Sequence, residues 1–125
     1  MSKRFELILP HLPYRELSPN ARLHWAVKRK WTEVARNEAH IEAMSVLGRK
    51  KWEIPTKATI YYEFTVKDNR RRDIENLIAA CKAHVDGLVD AGVISDDRWE
   101  VLRFGGAIVT KGNKNQTKLI IVRNQ

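Results

Sequence analysis

At 125 residues the chain is long enough for one compact domain with a single core and too short for a separate regulatory module. Apolar residues make up 43% of it and charged residues 30%, a balance that excludes a disordered chain. The formal charge of +8, from 23 Lys and Arg against 15 Asp and Glu, draws polyanions through long-range fields and counterion release, so nucleic acid is the leading partner class.

No apolar run approaches the ~18 to 20 residues of a membrane span, and Met1-Ser2-Lys3-Arg4-Phe5-Glu6 lacks the apolar stretch of a signal peptide, so a cytoplasmic protein is expected. The single cysteine, Cys81, cannot form an internal disulfide or a metal-binding cysteine pair, and its expected role is packing.

In chain order, Phe5 to Leu9 is a short apolar run closed by Pro10 and Pro13, which reads as a strand followed by a loop to about Arg22. Between Trp25 and Leu47 the residues Val27, Trp31, Val34, Ile41 and Met44 recur at helical spacing, predicting a helix that buries this stripe and stops at Gly48. From Lys57 to Val66, Ala58, Ile60, Tyr62, Phe64 and Val66 alternate with polar or smaller residues, the pattern of a half-buried strand. The polar segment Lys67 to Arg72 follows. One helix is then expected from about Asp73 to Asp90, buried along Leu77, Cys81, Val85 and Leu88 and ended at Ala91-Gly92. Val101 to Val109 and Lys118 to Val122 read as two strands joined by the turn Lys111 to Gln116, a hairpin signal. The order is β-α-β-α-β-β, and the whole chain, 1–125, is expected to form one α+β domain with a small mixed sheet packed by two helices.

Carboxylates gather at both ends of the second helix: Asp73 and Glu75 at its start, Asp96 and Asp97 in the turn after it. Crowded like charges repel by roughly 1 to 4 kcal/mol at ~4 Å, so such a group calls for a cation. Mg²⁺ suits it, since this ion takes hard oxygen ligands and is held by one or two carboxylates plus substrate phosphate; no His/Cys set suggests zinc. At about 100° per residue, Lys82 and Asp86 fall within about 20° of Glu75 and share its face. Lys82 then has two readings: a cation for phosphate, or an exposed i,i+4 ion pair with Asp86. Asp73 likewise reads as an ion ligand or as a helix N-cap.

The succession Arg71-Arg72-Asp73-Ile74-Glu75-Asn76, Lys82, Asp86-Gly87-Leu88, Ala91-Gly92-Val93 and Asp96-Asp97 resembles the RusA family of Holliday-junction resolvases over about a third of the chain. The pieces occur in the family's order. The resemblance implies a small homodimeric Mg²⁺-dependent endonuclease, with Mn²⁺ as a substitute, of a kind frequent in bacteriophages, that resolves four-way or branched DNA by paired nicks in recombination and repair. It places catalytic, metal-binding roles on Asp73, Glu75 and Asp97 and a catalytic, DNA-binding role on Lys82, with Asp96, Asp86 and Asn76 as weaker candidates. Position 75 is Glu where the best-known members have Asp, which moves the carboxylate one methylene outward. The interval from Asn76 to Asp86 is also about three residues longer, carrying the lysine about one helical turn along the same face; a competing alignment puts Ala79 there.

Arg70, Arg71 and Arg72 are the expected phosphate contacts, ahead of Lys28-Arg29-Lys30 and Arg49-Lys50-Lys51. His24 and His84 lack a supporting motif as general bases; His84, Trp31 and Trp99 are expected to pack in the core. The alternative function is a DNA-binding protein that keeps this fold without the chemistry.

Overall fold

The computed structural model describes residues 2–124. Strand β1 (Arg4–Leu9) leads through a loop and a 3₁₀ turn (Arg15–Leu17) into helix α1 (Trp25–Leu47), followed by strand β2 (Ala58–Val66). Helices α2 (Ile74–Ala80) and α3 (Lys82–Ala91) come next, then strands β3 (Leu102–Lys111) and β4 (Gln116–Arg123). The class is the expected one, a single α+β domain with one mixed four-stranded sheet packed by helices.

The sheet order is β1-β4-β2-β3. β4 runs antiparallel to both β1 and β2, while β2 and β3 are parallel and joined through α2 and α3. This corrects the expected hairpin: β3 and β4 are not neighbours. Their connection straddles the end of β2, where Gly112 N–H donates to the Val66 carbonyl (2.9 Å) and Lys67 N–H to Asn115 Oδ1 (2.9 Å). The polar turn signals a reversal and says nothing of which strands flank it. The run Leu119-Ile120-Ile121, buried throughout, is the mark of a central strand.

Alternation along β2 is as read, with Ala58, Ile60, Tyr62, Phe64 and Val66 buried against the helices together with Phe5, Leu7, Leu9, Leu119 and Ile121. The second helical region is interrupted at Cys81, whose N–H bonds to the Ile78 carbonyl (3.0 Å) in a tighter turn. Cys81, Val85 and Leu88 are buried as anticipated and Leu77 packs against the core from its edge. Gly92 ends α3 at φ 83°, a left-handed position that glycine takes without strain.

Helix α1 buries a different face from the one its large apolar residues suggest. Ala35, Ala39 and Ala43 are fully buried, while Val27, Val34, Ile41 and Met44 are exposed. The cause is close helix packing: α1 lies against α3, where Ala83 and Gly87 are buried and a Cβ on Gly87 would meet the Arg36 carbonyl oxygen at 2.4 Å. Only small residues fit that crossing. Arg36 and Asp90 clamp it at the surface with two hydrogen bonds of 2.5 and 2.7 Å. Trp99 also departs from expectation: it is 72% exposed, on the connection from α3 to β3, where the chain runs over the surface.

Candidate active site

The basic segment after β2 is an ordered turn. Asp68 accepts from the Arg70 backbone N–H (3.1 Å) and pairs with the Arg72 guanidinium (2.8 Å). The Arg70 amide, first, and Arg72 then hold the Asp68 carboxyl below the usual carboxylate range. Lys111 on β3 donates to Asn69 Oδ1 (2.7 Å), tying the turn to the edge strand. Arg72 is therefore largely spent on structure, whereas Arg70 keeps an exposed guanidinium beside Asp68 and Arg71 is exposed with no ion-pair partner among the described residues.

Asp73 follows as the N-cap of α2, its Oδ1 accepting from the Glu75 N–H (2.9 Å). The capping role is thus real and leaves the second carboxylate oxygen outside that bond. Asp73 and Glu75 are exposed, and neither has an ion-pair partner among the described residues. Asp73, Asn76, Arg70, Arg72, His11 and Tyr14 line one cleft, between the start of α2 and the segment after β1.

A second groove lies beyond α2, along the outer edge of the sheet, and is lined by Tyr62, Ile78, Ala79, Lys82, Asp97 and Phe104. Lys82 Nζ donates to Asp86 Oδ1 (2.6 Å) and to Asp97 Oδ2, so the i,i+4 pair exists and also reaches the acidic turn. Burial works against the charged amine of Lys82, but the bonds to Asp86 and Asp97 outweigh it and raise its pKa. Lys82, first, also lowers that of Asp97. Asp96 Oδ1 accepts from the Asp97 N–H (2.7 Å) and sets the shape of that turn.

Lys82, Asp86 and Asp97 are therefore together, as are Asp73, Asn76 and the arginines. The three acids assigned to one ion do not form a group with ligand atoms within 4.8 Å of one another. Counting about 100° per residue across Cys81 ignores the interruption there, so the shared face holds for Lys82 and Asp86 within α3 and is not inherited from Glu75.

Sequence reading missed a cluster around Glu38 on α1. Its carboxylate meets His11 Nε2 (2.6 Å), His84 Nε2 (2.9 Å) and the Tyr14 hydroxyl (2.8 Å). His84 is buried as expected, but as part of this polar network and not as a purely apolar filler. The three partners are spaced 24 to 46 residues from Glu38, so no local pattern announces them.

Burial lowers the pKa of His84 against the opposing pull of Glu38. Burial disfavours ionised Glu38, yet the bonds from His11, His84 and Tyr14 prevail and lower its pKa. Tyr14 is pushed up to about 12, by burial first and then by Glu38. A histidine with a lowered folded pKa binds its proton more readily when unfolded, and so does a carboxyl with a lowered folded pKa. Stability is therefore expected to fall as pH drops through the ordinary imidazole value of 6.5 and further through the carboxyl range. Urea midpoints measured in metal-free buffer from about pH 8 to about pH 4 check this sign; a midpoint that rises on acidification would refute it.

His24 caps α1, its Nδ1 accepting from the Ala26 N–H (3.2 Å). Among the described residues, no helix is long and apolar enough to cross a membrane.

No protein-family model matches the chain. A protein of Xylella fastidiosa (strain Temecula1 / ATCC 700964), described as "Uncharacterized protein", is 30% identical over 108 residues, covering 78% of this chain and 70% of the relative. The chain belongs to the same family as that protein.

Proposed function

We propose that this chain is a Mg²⁺-dependent, structure-selective endodeoxyribonuclease that acts as a homodimer on Holliday junctions and other branched DNA by paired nicks. The observation that carries the reading is the start of α2: two exposed carboxylates without ion-pair partners among the described residues, Asp73 and Glu75, directly follow a turn that presents Arg70 and Arg71 outward. Repulsion of DNA by the acids is offset locally, and the overall charge of +8 favours approach to a polyanion.

The donors fit the ion. Mg²⁺ is commonly held by one or two carboxylates with waters and substrate phosphate completing its sphere, and Asp73 and Glu75 supply such oxygens. When bound, it would polarise the scissile phosphate and lower the pKa of a water. Arg70 and Arg71 would position flanking phosphates. Lys82 lies in the neighbouring groove, its amine held by Asp97 and Asp86, and would contact DNA phosphate there.

The second reading, a DNA-binding protein without the chemistry, draws support from the separation of Asp97 from Asp73 and Glu75. A labelled four-way junction incubated with and without Mg²⁺ distinguishes them: symmetrical nicks are expected with the ion. Intact strands at every pH and with Mn²⁺ would leave the binding reading. Arg71→Ala is expected to weaken junction binding and reduce the slope of log affinity against log salt by about 1, in fluorescence anisotropy at several salt concentrations. An unchanged slope would remove Arg71 from the interface.

A further inference from the structure

His11 follows β1, Glu38 lies in the middle of α1, and His84 sits on α3; their ligand atoms all fall within 4.8 Å of one another. His11 Nδ1 lies 2.7 Å from the Leu12 carbonyl oxygen, which only accepts, so Nδ1 carries the proton. In the neutral ring, Nε2 then turns a lone pair toward Glu38 Oε2 at 2.6 Å. Two lone pairs repel at that distance unless a proton or a metal ion stands between them. A carbonyl-bound Nδ1–H is also the outer hydrogen bond that orients a metal-ligating imidazole. His84 Nδ1 has no hydrogen-bond partner among the described residues, so the polar contact of that buried ring is made through Nε2.

We propose that His11, Glu38 and His84 bind Zn²⁺ through the two Nε2 atoms and the carboxylate, at a site separate from Asp73 and Glu75 and independent of the nuclease reading. Two imidazoles and one carboxylate form a zinc ligand set that leaves a fourth position, and borderline nitrogen donors discriminate against Mg²⁺. The Tyr14 hydroxyl donates to Glu38 Oε1 (2.8 Å) beside this group. Of this group, His11 borders the cleft at the start of α2 together with Tyr14. Bonds of about 2.0 to 2.1 Å set tetrahedral ligand atoms about 3.4 Å apart, so the contacts of 2.6 and 2.9 Å widen by roughly 0.8 and roughly 0.5 Å on binding. A rotation of the Glu38 carboxylate, 27% exposed, accommodates this. The ion would pin the segment after β1 to both α1 and α3.

The test uses the full chain, stripped with chelator and titrated with Co²⁺ as a visible probe. One equivalent is expected to give the intense absorption of four-coordinate Co²⁺, bleached by Zn²⁺ and unaffected by excess Mg²⁺. His11→Gln, at a partly exposed position, and Glu38→Gln should each weaken binding by about tenfold or more, while Asp73→Asn binds as wild type. Added Zn²⁺ should raise the wild-type thermal midpoint by more than that of His11→Gln. Absence of a saturable Co²⁺ spectrum in the wild type overturns the proposal and leaves a hydrogen-bonded network only. Wild-type affinity in both the His11 and Glu38 variants overturns it equally.

Discussion

Asp73→Asn is expected to lower junction cleavage by roughly 10²- to 10³-fold or more while leaving the fold and DNA binding intact. The substitution is informative because Asp73 has two roles that asparagine separates. As N-cap of α2 its Oδ1 accepts from the Glu75 N–H at 2.9 Å, and asparagine caps a helix about as well as aspartate. The negative charge alone is lost, and with it the attraction for a divalent ion. Binding to the junction should persist or tighten, since one repulsive charge near phosphate is gone. Asp73→Ala removes cap and charge together and should cost about 1 kcal/mol of stability in addition. Cleavage by Asp73→Asn at the wild-type rate, in single-turnover assays with saturating Mg²⁺, would remove Asp73 from the chemistry.

The largest effect on stability is expected at Gly87. A Cβ there would lie 2.4 Å from the Arg36 carbonyl oxygen and 2.7 Å from Ala39 Cβ, both in α1, so the backbone of that helix must retreat. Overpacking of this kind costs about 3 kcal/mol, against about 1 kcal/mol gained from the better helix propensity of alanine. Gly87→Ala should therefore lose roughly 2 kcal/mol, a fall in melting temperature of about 6 to 10 °C for a domain of this size. Gly87→Val should lose more. Calorimetry decides it: an unchanged or higher midpoint would mean that the helices part without cost.

Sequence reading succeeded where the physical signal is local and failed where it depends on what a segment meets. β2 was legible because period-two alternation follows from the pleat alone, and the ends of α1 and α3 because Gly48 and Gly92 stop helices for backbone reasons. The buried face of α1 was not, since Val27, Val34 and Ile41 outweigh Ala35, Ala39 and Ala43 on any hydrophobicity count. The alanines go inward because α3 offers Ala83 and Gly87 at the crossing. The break at Cys81 has no glycine or proline to mark it. Of the candidate site, the motif named Asp73, Glu75, Asn76, Lys82, Asp86 and Asp97 as one cluster, which the structure divides into two groups on either side of α2. It could not show that Arg72 is committed to Asp68 or that His84 joins His11 and Glu38.

The position of β4 between β1 and β2 bears on how the chain reaches this state during synthesis. Arg4 pairs with Val122, so the first strand waits for more than a hundred further residues before it has a neighbour. Until then β1 and β2 each expose an open ladder edge, and the helices cover a sheet with a gap at its centre. Such long-range closure slows folding and leaves nascent chains prone to pair with one another. Ribosome-bound chains halted before Gln116 would accordingly be protease-sensitive along most of their length, and would become resistant in one step once Arg123 has cleared the exit tunnel.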